Sequence, residues 1–199
     1  NRGDNGSGSI YIETEFNNKE DANRPSNLHP IISIEDCEFK NNIGTTSSSI
    51  MIGTTKDTPF NLTNCTFLDD EASETNGNVI SLNSNLKSID VQAISIEFDK
   101  VIGFTGILIQ SACNIKLNNI KFTKTAQNSA LLIQSTSNSN EIAINECVFD
   151  SCSSSNNNCF DISVSTNSFT FTNSVLKELK GNGCDNYFGL LNFNNPFSL

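Results

Sequence analysis

The chain has 199 residues, a formal net charge of −10 and a pI near 4.4. That balance opposes binding to nucleic acid or to anionic lipid, both of which need a basic stripe, and no apolar run approaches the length of a membrane span. Hydrophobic residues make up 36% of the chain and Trp is absent, so a fold that needs few core residues per unit of length is favoured over one large globular core.

In chain order, Gly8-Ser9-Ile10-Tyr11-Ile12 reads first, as a strand of a coil that precedes the periodic region. The stretch from Glu13 to His29 carries charge, Asn and Pro25, and reads as a loop or capping insertion. Residues 1–31 are therefore expected to form an N-terminal strand and cap, and residues 32–199 a repeat domain.

From Ile32 a frame of the form apolar-x-apolar-x-x-[Cys/Ile/Ser]-x-[Phe/Ile/Leu] recurs six times: ISIEDCEF from Ile32, FNLTNCTF from Phe60, IDVQAISI from Ile89, IKLNNIKF from Ile115, IAINECVF from Ile142 and FTFTNSVL from Phe169. The starts are 28, 29, 26, 27 and 27 residues apart. A period between about 20 and 50 residues is the signature of a solenoid, in which each unit buries its apolar face against its neighbours.

Within each frame, period-two alternation predicts a half-buried strand. Two residues then intervene, too few for a helix, and they predict a corner. The second corner residue is Asp36, Asn64, Ala93, Asn119, Glu146 and Asn173. Asn and Asp tolerate the left-handed backbone of a sharp bend, so these positions could stack as an asparagine ladder interrupted at Ala93 and Glu146. A third apolar segment follows each frame after a polar stretch of variable length: Ile50 to Ile52, Val79 to Leu82, Ile107 to Ile109, Leu131 to Ile133, Ile162 to Val164 and Leu190 to Phe193. No polar gap carries the i, i+3, i+4 apolar pattern of an amphipathic helix. The expectation is an all-β chain wound as a triangular parallel β-helix of about seven coils of about 27 residues, a rod about 34 Å long at the ordinary strand spacing. Phe197 opens a further frame, so the chain is expected to belong to a longer rod or to stack its end on another chain.

Of the seven cysteines, Cys37, Cys65 and Cys147 share the inward slot of the frame with Ile94 and Ile120 and read as small core hydrophobes. Cys113 falls in a short turn. Cys152, Cys159 and Cys184 fall in variable corners, where Cys152 could bridge to Cys159, or either could reach Cys184. A zinc site lacks a Cys-x-x-Cys pair and a partner His, and the Asp69-Asp70-Glu71 run matches no calcium loop. Sequons occur at Asn5, Asn61 and Asn64. Arg2-Gly3-Asp4 has the form of an integrin-binding tripeptide, read here as part of a loose terminus, and His29, the one histidine, reads as a loop residue.

The order of strand, Asn-containing corner, strand, long loop and strand resembles the right-handed single-stranded parallel β-helix of the pectate-lyase-like superfamily. More narrowly, Phe39-Lys40-Asn41-Asn42, with looser versions at Phe67, Phe122 and Phe149, and Gly8-Ser9-Ile10, Gly77-Asn78-Val79-Ile80 and Thr105-Gly106-Ile107, resemble the two repeat motifs of polymorphic outer-membrane proteins. That resemblance implies an extracellular or surface-exposed scaffold or adhesin that recognises a protein or glycan through its loops.

The superfamily's enzymes are mainly polysaccharide lyases and hydrolases, which makes catalysis the alternative. The available carboxylates are Asp69, Asp70 and Glu71, Asp99 beside Lys100, and Asp150 with Asp161. None has the Arg, His or aromatic platform expected at a sugar subsite, and neither arginine lies in the repeats. No catalytic, cofactor-binding or metal-ligating residue is assigned, and no cofactor is expected. Outward Met51, Leu108 and Leu132 in the third strands predict a covered face.

Overall fold

Alternating apolar and polar residues give strands throughout, and the strands pair by stacking successive copies of the frame. The computed structural model describes residues 2–3, 8–14, 31–54, 59–72, 78–84, 89–110, 112–124, 126–134, 139–154, 160–164, 166–178, 180–181 and 191–193. Among these there is no helix.

Two sheets wind together into a parallel β-solenoid. The frame sheet stacks Ile32–Glu35, Phe60–Leu68, Ile89–Asp99, Ala112–Thr123, Ser139–Asn145 and Thr166–Thr172 in that order, with Glu38–Lys40, Val148–Asp150 and Val175–Lys177 continuing three of the rungs past a corner. The return sheet stacks Ile10–Thr14, Ser47–Thr54, Asn78–Ser84, Ile102–Gln110, Ala126–Gln134, Phe160–Val164 and Leu191–Phe193. Along its edge run Arg2–Gly3, Ile43–Gly44 and Glu71–Ala72, and further on Ser153–Ser154 and Lys180–Gly181. Every pairing among the described strands is parallel. The early strand at Ile10 pairs with the third strand of the next coil, Ile10 against Ile50 and Ile12 against Ile52, as its sequence predicts.

The register aligns like with like. One inward column holds Ile34, Leu62, Ala93, Leu117, Ile144 and Phe171, and another holds Phe39, Phe67, Phe98, Phe122, Phe149 and Leu176. The five phenylalanine rings stack face to face, with centroids 4.7, 4.8, 4.6 and 5.1 Å apart. That spacing is set by the strand separation, so each ring rests on the next without an added residue.

One frame is shifted from its expected position. Val91, not Ile89, stands opposite Phe60 and Ile115, which makes VQAISIEF the true unit. Ile96 therefore takes the slot of Cys65 and Ile120, while Ile94 pairs with Thr63 and Asn118 at the corner. The run Ile89, Val91, Ala93, Ile94, Ile96 offers two apolar phases, and the bulk of Phe98 selects the one that places its ring in the aromatic column.

The first corner has φ between 51° and 57° at Asp36, Asn64, Ser95, Asn119, Glu146 and Asn173. Ser95 thus replaces Ala93 as the bend residue, in keeping with the shifted frame. Side chains bridge successive corners where chemistry allows: Asn64 Nδ2 donates to Asp36 Oδ1 at 2.6 Å and Asn119 Nδ2 to Ser95 Oγ at 3.1 Å. At Glu146 the ladder steps sideways, and Asn173 Nδ2 donates to Asn145 Oδ1 at 3.0 Å.

A second regular corner replaces the irregular one expected after each frame. Asn41, Asp69, Lys100, Lys124, Ser151 and Glu178 all have φ between 51° and 56°, each two residues beyond the Phe or Leu of the aromatic column. The residue that follows turns inward: Asn42, Asp70, Val101 and Cys152 are buried. At the end of the first such bend, Gly44 packs so tightly that a Cβ there would lie 1.7 Å from Ser47 O. The backbone approach at that point requires glycine.

Candidate functional surface

Of the carboxylates that the sequence offers, the structure takes Asp70 out of reach. The second corner turns it into the interior, where it is fully buried. Asn42 N and Nδ2 donate to Asp70 Oδ1 at 2.8 and 3.1 Å, and Ser49 Oγ donates to Oδ2 at 2.6 Å. Ser47 and Ser48 are buried beside this group, and Ser47 Oγ lies 2.7 Å from Ile50 O and 3.1 Å from Val79 O. Burial pushes the Asp70 carboxyl above its ordinary value of 3.8, against the three hydrogen bonds that favour the anion. This polar knot satisfies buried groups in consecutive coils. Its neighbours Asp69 and Glu71 are exposed on the outside of the same corner, and so point away from it.

The remaining candidates lie apart. Asp99 is half-buried on the outer face of the frame sheet, 3.8 Å from Lys100 Nζ. Asp150 sits two coils on, where Ser151 Oγ donates to it at 2.8 Å and Lys177 Nζ lies 3.4 Å away. The Ser151 hydrogen bond first, and Lys177 with it, hold the Asp150 carboxyl below its ordinary value. The backbone of Asp161 pairs with Leu132 in the return sheet, which puts Asp150 and Asp161 in different sheets; the Asp161 side chain is outside the described residues. His29, Asp4, Asn5, Cys159, Cys184 and Phe197 are likewise outside them, as is the Cys113 side chain.

Outward side chains of the frame sheet form cross-coil pairs. Lys121 Nζ donates to Glu97 Oε1 at 2.8 Å and Lys116 Nζ lies 3.5 Å from Glu141 Oε2. The hydrogen bond from Lys121 to Glu97 raises the Lys121 ammonium above its usual range. Asn145 Nδ2 donates to Asn118 Oδ1 and accepts from Thr172 Oγ1 through its own Oδ1, both at 2.9 Å. Side chains tied to the coil above or below present a fixed pattern of amide, hydroxyl and alternating charge. Surface pairs of this kind add little stability, and their consequence is a surface of defined shape.

On the return sheet the outward column runs Tyr11, Met51, Ser81, Leu108, Leu132. Tyr11 is 55% exposed, Met51 and Leu108 are half-buried, and Ser81 is 6% exposed. Ser81 is thus closed off between the larger Met51 and Leu108 of the adjacent coils, which themselves stay half-buried; the Leu132 side chain is outside the described residues. Among the sequons, Asn64 is exposed at its corner and Asn61 is half-buried on a strand. Cys152, expected in a variable corner, is instead buried in the column of Asn42, Asp70 and Val101. The signal that locates the second corner, and with it Asp70 and Cys152, is the constant two-residue step from the aromatic column. Among the described residues no group of three or more His, Cys, Asp or Glu is placed to hold a metal ion.

These features define an all-β parallel solenoid with a continuous aromatic spine and a polar exterior of cross-coil pairs. Comparison of the chain with protein-family models, with curated proteins and with solved structures finds no match.

Proposed function

We propose that the chain is a rigid, non-catalytic module of an extracellular or surface protein, a scaffold or adhesin that presents loops from a right-handed parallel β-helix of about seven coils. Residues 32–199 form the rod in this reading and residues 1–31 its N-terminal strand and cap. Right-handed winding is the sense that twisted strands favour in parallel crossovers, and the repeat motifs resemble those of polymorphic outer-membrane proteins within the pectate-lyase-like superfamily. Partners are proteins or glycans at the loops, or another chain stacked on the C-terminal end.

The observation that carries this reading is the fate of Asp70. Among the described carboxyls, the one whose proton affinity is raised, as a general acid requires, is hydrogen-bonded inside the coil and fully buried. Rigidity has its own support in the unbroken phenylalanine stack, and each rung is pinned at two corners.

Incubation with a panel of acidic and neutral polysaccharides tests the reading against its alternative, a polysaccharide lyase or glycoside hydrolase. The expected result is retention of one or more glycans or surface proteins without release of unsaturated or reducing ends. Release that is abolished by Asp69→Ala or Asp99→Ala overturns it.

A further inference from the structure

Cys37 and Cys65 occupy the same slot of the frame in consecutive coils. The register around them leaves no offset: Asp36 N donates to Thr63 O at 3.1 Å, Thr66 N donates to Cys37 O at 3.0 Å, and Glu38 pairs with Thr66. Neighbouring strands in register lie about 4.8 Å apart, inside the range of about 4.4–6.8 Å that a disulfide spans between Cα atoms. Both thiols take the same local orientation, each donating to the carbonyl two residues back, Cys37 Sγ to Glu35 O at 3.1 Å and Cys65 Sγ to Thr63 O at 3.3 Å. Both are unbridged.

We infer that Cys37 and Cys65 form an oxidisable pair that staples two consecutive coils when the chain meets an aliphatic disulfide. The other cysteines with described side chains have no such neighbour. Cys147 lies in the same column, but its flanking slots hold Ile120 and Ser174, whose Oγ accepts from Cys147 N at 3.0 Å. Cys152 follows Asp150 and Ser151 into a different column.

The roles of the two thiols differ by exposure. Cys37 is half-buried, so an external disulfide reaches it first, whereas burial pushes the Cys65 thiol above its ordinary value and makes it the slower, second nucleophile. The Cys37 thiolate attacks one sulfur of the reagent, the reagent's S–S bond breaks, and one thiolate leaves. Cys65 then gives its proton to solvent and attacks the Cys37 sulfur, expelling the second reagent thiol. Two protein thiols become one S–S bond and the reagent is reduced to two thiols. The inference rests on register alone and stands whether or not the module is extracellular, although an oxidising compartment is where the staple forms spontaneously.

The full chain is equilibrated in a series of oxidised-to-reduced glutathione mixtures, natively and in concentrated urea, then alkylated, digested and mapped. The expected product is a peptide joining Cys37 to Cys65 whose half-formation in native buffer needs a glutathione mixture about tenfold or more reducing than in urea, because the folded register holds the sulfurs together. Cys37→Ser removes that peptide. The inference is overturned if Cys37 and Cys65 are alkylated separately in every native mixture, or if the native midpoint equals or is more oxidising than the midpoint in urea.

Discussion

Truncating the centre of the aromatic spine tests the stacked register most directly. Phe98 is fully buried and lies between Phe67, 4.8 Å away at 13°, and Phe122, 4.6 Å away at 4°. Phe98→Ala removes a ring from a column that cannot close over the gap, because the backbone hydrogen bonds of both neighbouring coils hold the spacing. The cost is expected near the upper part of the range for buried phenylalanine, about 4 kcal/mol out of about 3–5. Phe39 provides the internal control. It is 6% exposed and has one described ring neighbour, Phe67 at 4.7 Å. Phe39→Ala forfeits one stacked pair where Phe98→Ala forfeits two, and each is worth about 0.5–1.5 kcal/mol beyond area, so it should cost less by about that amount. Phe98→Leu keeps most of the volume and should cost about 1 kcal/mol. Urea unfolding followed by circular dichroism gives the midpoint, and an unchanged slope guards against loss of cooperativity along the repeat. A Phe98→Ala cost below about 1.5 kcal/mol, or one no greater than that of Phe39→Ala, refutes the stacked spine.

Asp70 makes stability depend on pH. Its folded value lies above the unfolded one, so the folded chain holds the proton more tightly, its contribution is fully present below pH 3.8, and stability falls as pH rises through the raised folded value. Asp70→Asn mimics the protonated carboxyl, and should be more stable than the parent at neutral pH with the advantage vanishing in acid; urea midpoints across pH that show a loss at neutral pH reject this. Gly44→Ala drives a Cβ to 1.7 Å from Ser47 O and should cost about 3 kcal/mol, whereas Gly53→Ala, with nothing within 4 Å, should be neutral or gain about 0.5 kcal/mol. Equal thermal midpoints for the two would contradict the described packing. Glu146 sits at φ 55°, and Glu146→Asn supplies a residue that tolerates this backbone and can enter the corner ladder, so the urea midpoint should rise by about 0.5–1 kcal/mol equivalent. A fall would mean that Glu146 is doing something the corner geometry does not require.

The winding was legible because one property, inward bulk at fixed spacing, recurs regardless of the residues between. The phase of a single frame was not. Counting back seven residues from Phe39, Phe67, Phe98, Phe122, Phe149 and Leu176 yields Ile32, Phe60, Val91, Ile115, Ile142 and Phe169 without exception, so the aromatic residue anchors the unit better than its first aliphatic one. The second corner is not legible in the sequence because Lys100, Lys124, Ser151 and Glu178 are poor indicators of left-handed backbone. Their φ values are imposed by the coil closing on its neighbours, a tertiary demand that overrides local preference. For the same reason the sequence does not reveal that Asp70 is buried. Composition marks a charged triplet at Asp69, Asp70 and Glu71, and the bend at Asp69 sends the middle residue inward while leaving the other two outside.

That inward turn explains how a column can change character along the rod. Asn42 and Asp70 are tolerable inside because they sit in consecutive coils, where the donors of one meet the acceptors of the other. Three coils beyond Asp70, Cys152 fills the equivalent interior position of a column that has already turned apolar at Val101. Either residue of the polar pair, placed alone beside Val101, would face apolar neighbours and carry the full penalty of an unpaired buried group. The choice of interior residue at each slot is thus made between coils and not within them. A repeat may drift far in sequence so long as each slot stays compatible with the slots immediately above and below, which is why the spacing persists while the motif itself degrades.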